Sequence, residues 1–122
     1  MDARYSVTCN GRYVEIISVG RKSIEHSRRM YIDVVSVCRK HDCFKLLGVS
    51  LSQAPLSITD AYDHAELFRE LGIGGRYKLA WVEMNRDALE PLEFAEDVLY
   101  NRGLPGKLFS SVEAARDWLL EA

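Results

Sequence analysis

Four times along the chain, a short run of strand-forming residues is followed by a segment with helical spacing. This repeated alternation is the feature that most restricts the fold. The runs are "YVEIISV", "KLLGVSLS", "YKLAWVEMN" and "KLFSS". The helical segments are "SIEHSRRMYIDVVSVCRKHDC", "SITDAYDHAELFRELG", "ALEPLEFAEDVLYNRG" and "SVEAARDWLLEA". Strands that alternate with helices demand parallel pairing through right-handed crossovers. The first run is preceded by "YSVTC" and Asn10-Gly11, a dipeptide that suits a type I′ turn between antiparallel strands. The spacing therefore predicts a hairpin over Tyr5–Cys9 and Tyr13–Val19, then the order β-β-α-β-α-β-α-β-α. The expected architecture is α/β: a mixed sheet with about four helices packed over it.

The helices carry start and stop signals. Ser23 precedes a stripe of Ile24, Ser27, Tyr31, Val34, Val35 and Cys38, and Arg39, Lys40 and His41 fill the last turn. Ser57 with Asp60 three residues on resembles a capping box, ahead of a stripe of Ile58, Ala61, Tyr62, Ala65 and Phe68 that Gly72 ends. Pro91 falls in the first turn of the third helix and Gly103 at its end. Ser110 or Ser111 caps the fourth. Trp81, Trp118, Tyr31, Tyr62, Phe68 and Phe94 read as packing residues.

The totals exclude several function classes. A length of 122 residues suits one domain spanning 1–122, and a net charge of −2 gives no steering toward nucleic acid or membrane. The charge is uneven: residues 1–50 carry nine basic and five acidic side chains, residues 51–122 seven and thirteen. Such asymmetry is ordinary for solvated helix faces. Arg21-Lys22, Arg28-Arg29 and Arg39-Lys40 form basic pairs without the interleaved aromatics that stack nucleic-acid bases. No apolar stretch approaches the ~20 residues of a membrane span, and "MDARYSVTCNGRYVE" does not resemble a signal peptide. Three irregularly spaced cysteines, Cys9, Cys38 and Cys43, do not make a disulfide framework or a zinc knuckle. The expectation is a cytoplasmic protein with no cofactor and no metal.

Few residues invite chemistry. "YNRGLPGKLFSS" holds Gly103, Pro105, Gly106 and Lys107, but its glycines follow a helix and precede a strand. A phosphate-cradling loop runs the other way, from strand to helix N-terminus. The segment is a connector. His41-Asp42-Cys43 are adjacent, a spacing that does not converge on one metal. His64 lies four residues from Asp60 and near Glu66, with no nucleophile beside it in the sequence, so it reads as a helix-face histidine. The start of the second helix is the best-placed site, because ligands of open α/β sheets bind beyond the carboxyl ends of strands. Asp60 and Asp63 already place negative charge there.

Residues 60–85 and 93–119 resemble the small STAS-like proteins known as SpoIIAA-like. The resemblance is carried by a helix ending in Leu-Gly before a strand, then by Asn101, Arg102, Gly103, Phe109, Ala114, Ala115, Trp118 and Leu119. It implies a non-enzymatic regulatory or protein-interaction module, either a homodimer or the partner of another protein. Some members resemble lipid-binding domains, which implies a small apolar ligand as the alternative. The antagonist proteins carry a phosphorylatable serine between a central strand and a helix. The matching stretch "SLSQAPLSITDAYD" offers Ser50, Ser52, Ser57 and Thr59, without the Asp-Ser-Ser-Gly turn. Ser52, Ser57, Thr59 and Asp60 are thus the candidate ligand or regulatory residues, and no catalytic residue is expected.

Overall fold

A computed structural model describes residues 4–20, 23–52, 58–84 and 89–121. The elements run β1 (Arg4–Cys9), β2 (Val14–Gly20), α1 (Ile24–His41), β3 (Lys45–Ser52), α2 (Ile58–Leu71), β4 (Lys78–Glu83), α3 (Leu89–Asn101), β5 (Lys107–Phe109) and α4 (Val112–Leu120). The strands form one sheet in the order β1-β2-β3-β4-β5. β1 pairs antiparallel with β2 and every later pairing is parallel. The expected mixed α/β sheet with four helices is what forms.

The connection between β1 and β2 differs from the expected tight turn. Cys9 pairs with Val14, so four residues span the gap. Asn10 keeps a negative φ, and its side-chain oxygen accepts hydrogen bonds from the Arg12 and Tyr13 amides. Gly11 alone takes the positive φ, at 93°. Asn10 serves here as a side-chain mimic of a backbone turn, in place of the positive-φ residue that a type I′ turn requires.

Strand order and handedness fix where the helices lie. Three successive crossovers advance in one direction across the sheet. Right-handed crossovers of that kind place their helices on one face. Accordingly α1, α2 and α3 share a face, where Met30, Tyr31, Val34, Cys38, Leu67 and Phe68 bury against Val14, Ile16, Leu46 and Leu79. α4 takes the other face, setting Ala115 and Leu119 on Leu47, Ala80 and Val82. Lys78 ties it down by donating to the Trp118 carbonyl at 2.7 Å. Among the described residues no helix is long and apolar enough to cross a membrane.

Register divides the α1–α3 face into rows. Val14, Leu46 and Leu79 lie side by side, then Ile16, Gly48 and Trp81, then Ser18, Ser50 and Glu83. The face thus changes from apolar to polar toward the carboxyl ends of the strands, although all three polar residues are buried. A Cβ on Gly48 would overlap the six-membered ring of Trp81. The glycine is a notch into which the neighbouring indole lies.

Two of the aromatic residues read as packing residues pack outside the core. Tyr62 is 44% exposed and Phe94 is 36% exposed, and they meet edge to face on the outer side of α2 and α3. The inward stripe of α2 is Ala61, Ala65 and Phe68, joined by Leu67. Tyr62 follows Ala61 by one position, a step of about 100° around the helix, which carries it to the stripe's margin.

Candidate functional site

Between the sheet and the three helices lies a cavity of about 80 Å³. Its walls are largely apolar, from Met30, Phe68, Leu79, Leu92, Leu99 and Leu108. Its polar part is built from Ser18 on β2, His26 and Ser27 on α1, His64 on α2 and Trp81 on β4, with the charged Glu96 on α3 and Lys107 on β5 also in its lining. The site thus spans from the carboxyl end of β2, at Ser18, to the amino ends of β4 and β5, at Leu79 and Lys107.

Each polar group arrives for a local reason. Ser23 caps α1 by accepting from the His26 amide at 3.1 Å, which sets the phase of the first turns. With that phase, His26 and Ser27 face the sheet and both are buried. His26 Nε2 meets Ser18 Oγ at 3.1 Å. The ring also stands edge-on to Tyr5, whose hydroxyl donates to the Asp33 carboxylate. Burial first, and then the Arg29 guanidinium, hold His26 below its ordinary pKa of about 6.5. The Tyr5 phenol is raised, chiefly by its hydrogen bond to Asp33.

His64 is not the solvated helix-face residue expected from the sequence. It is half-buried, with Nδ1 2.6 Å from the Asp60 main-chain oxygen and Nε2 2.7 Å from Ser27 Oγ. Ser27 is 37 positions away in the chain, so only the packing of α1 against α2 could bring the two together. That packing is reinforced at the surface by Arg28 and Glu70, 2.7 Å apart.

Trp81 completes the site. Its Nε1 is buried and, among the described residues, has no hydrogen-bond partner. Buried indole N–H groups normally find an acceptor, and leaving one unmade costs about 1–3 kcal/mol. On the far wall, the Glu96 carboxylate accepts from the Leu108 amide on the edge strand β5.

Of the residues weighed in the sequence, the described ones at this site are His64, which lines the cavity, and Asp60, which reaches His64 through its main-chain carbonyl. Ser52 ends β3 opposite Gly20, and Thr59 lies in the first turn of α2. The side chains of Ser52 and Thr59, and all of Ser57, lie outside the described residues. His41 ends α1, and Asp42 caps it in a left-handed conformation. Ser18, His26, Ser27 and Trp81 were missed. The signal for them was present as polar residues at inward positions: Ser18 and Ser50 at period two among strand apolars, and Ser27 on the α1 stripe. The glycine-rich segment 100–111 is the connector expected: Gly103 ends α3 with a φ of 68°, and Lys107 opens β5.

A scan against protein-family models found no match. A search of curated proteins found none either. Among solved structures, the chain is similar to an uncharacterised protein of the DUF3478 family with a SpoIIAA-like fold, from Shewanella loihica PV-4. The two are 20% identical, the similarity covers 96% of this chain and 93% of that one, and the TM-score is 0.56. Together with the antiparallel β1, the parallel β2 to β5 and the four helices, this shows that the chain has the SpoIIAA-like fold.

Proposed function

We propose that this protein binds a small molecule, apolar over most of its surface and carrying one hydrogen-bond acceptor, in the cavity beneath α1, α2 and α3. The observation that carries this reading is the buried Nε1 of Trp81, which has no hydrogen-bond partner among the described residues, in a cavity whose walls are largely apolar. Ligand sites of this kind combine apolar walls with a few placed polar groups. A volume of about 80 Å³ gives room for the end of a molecule such as a short acyl group.

The test uses Trp118→Phe, which leaves Trp81 as the sole indole. Butyrate and hexanoate should shift its emission saturably and raise the melting temperature. Ala95→Phe, which fills the cavity from α3, should abolish both effects while the protein stays folded. Absence of any shift, in a protein that also leaves the cell without an adduct in native mass spectrometry, would refute the reading.

A second reading, the regulatory or interaction module that the resemblance implies, is supported by the exposed Tyr62–Phe94 pair. The Arg102 guanidinium lies 5.2 Å from the Tyr62 ring centre. A native mass double that of the chain, halved by Tyr62→Glu, would support it.

A further inference from the structure

The Ser27–His64 contact has a defined direction. A carbonyl oxygen only accepts, so the Asp60 oxygen 2.6 Å from Nδ1 places a proton on that nitrogen. In the neutral ring, Nε2 is then the lone-pair nitrogen, and Ser27 donates its hydroxyl hydrogen to it across 2.7 Å. A serine hydroxyl held against the unprotonated nitrogen of a histidine, whose other nitrogen is oriented by a third group, is the arrangement that activates a nucleophile. The Ser18–His26 pair is a useful contrast: it is longer, at 3.1 Å, and among the described residues no third group fixes its ring nitrogens.

The surroundings suit the same chemistry. Ser27 is 6% exposed and lines the cavity together with His64. It stands in the second turn of α1, close to the helix N-terminus, whose dipole favours negative charge on its oxygen. The same cavity holds Trp81 Nε1, a buried donor with no hydrogen-bond partner among the described residues.

We propose that Ser27 is a nucleophile and His64 its general base, acting on a small carboxylic ester whose acyl group occupies the cavity, with the Asp60 carbonyl in a positioning role. This rests on the ligand-binding reading above. Ser27 Oγ forms a bond to the ester carbonyl carbon as its proton passes to His64 Nε2, and the carbonyl electron pair moves onto oxygen. Collapse of that intermediate breaks the bond to the alkoxide, which leaves as the alcohol with the proton from Nε2. Water then repeats the sequence on the acyl-serine, releasing the carboxylic acid and restoring Ser27. The balance is ester plus water to acid plus alcohol, with no redox change.

The experiment is intact-mass and peptide-mass analysis of the wild-type protein treated with diisopropyl fluorophosphate and, separately, with p-nitrophenyl acetate. The expected result is a single adduct on Ser27, with p-nitrophenolate released at the rate of acetylation. His64→Gln should slow both reactions by about a hundredfold or more, the usual contribution of a general base. Ser27→Ala should abolish them. No adduct on the wild-type protein, or an adduct elsewhere, overturns the proposal whether or not the variants fold. Butyrate binding with no adduct sinks the nucleophile and leaves the ligand site standing. Failure of both binding and labelling sinks the two together.

Discussion

At the scale of the residue, Gly48 and Trp81 illustrate how one side chain is written into its neighbour. The indole lies where a Cβ on the adjacent strand would be, so Gly48→Ala must push the ring or part β3 from β4. Such overpacking costs about 1–3 kcal/mol. Urea unfolding should show that loss, and in the Trp81→Leu background the same substitution should cost clearly less, because the overlap is gone. Cys38 shows the converse, a residue made inert by its neighbours. It is fully buried on α1, and burial pushes its thiol up to about 12. Cys9 and Cys43 are half-buried. Ellman's reagent should therefore modify two thiols in the native protein and the third only on unfolding; three fast thiols would show that α1 does not stay packed.

At the scale of the element, α1 is held by its two ends. The Ser23 side chain satisfies one free amide at the start, so Ser23→Ala should cost about 1 kcal/mol. At the other end Asp42 takes a φ of 51°, which suits glycine better than aspartate. Asp42→Gly loses only the exposed contact with Arg76, at 3.4 Å, and should stabilise by a few tenths to about 1 kcal/mol in urea unfolding. These caps also mark what was legible in the sequence. Periodicity and turn residues gave the element order, since Ser23, Gly72, Gly103 and Ser111 act locally and do so in the folded chain. The site was not legible in the same way. Ser27 and His64 lie on different helices, and nothing in "SIEHS" or "DAYDHAEL" states that α1 packs beside α2 at that register. Tyr62 was misplaced for a related reason: helical spacing identifies a stripe but not its margin.

At the scale of the whole molecule, the one-sided arrangement of α1, α2 and α3 buries a polar row with the apolar core, and folding free energy must then depend on pH. His26 is the group that shows it. Its ring is buried against Ser18 and Tyr5, with Arg29 nearby, and its folded pKa lies below the ordinary value of about 6.5. The unfolded chain therefore takes up a proton near pH 6.5 that the folded chain refuses. Stability should be full above that pH, fall as pH drops through 6.5, and level off only below the depressed folded value. The limiting slope for one proton is about 1.4 kcal/mol per pH unit. His26→Gln removes this dependence while leaving the carboxylates to titrate as before. The difference in unfolding free energy between wild type and variant, measured in urea from pH 7.5 to 5, should shrink steadily below 6.5. The Asp33 carboxylate reaches Tyr5 and not His26, so it does not reverse the sign. A difference that stays flat or grows with acid would mean that the folded protein protonates His26 at least as readily as the unfolded chain does.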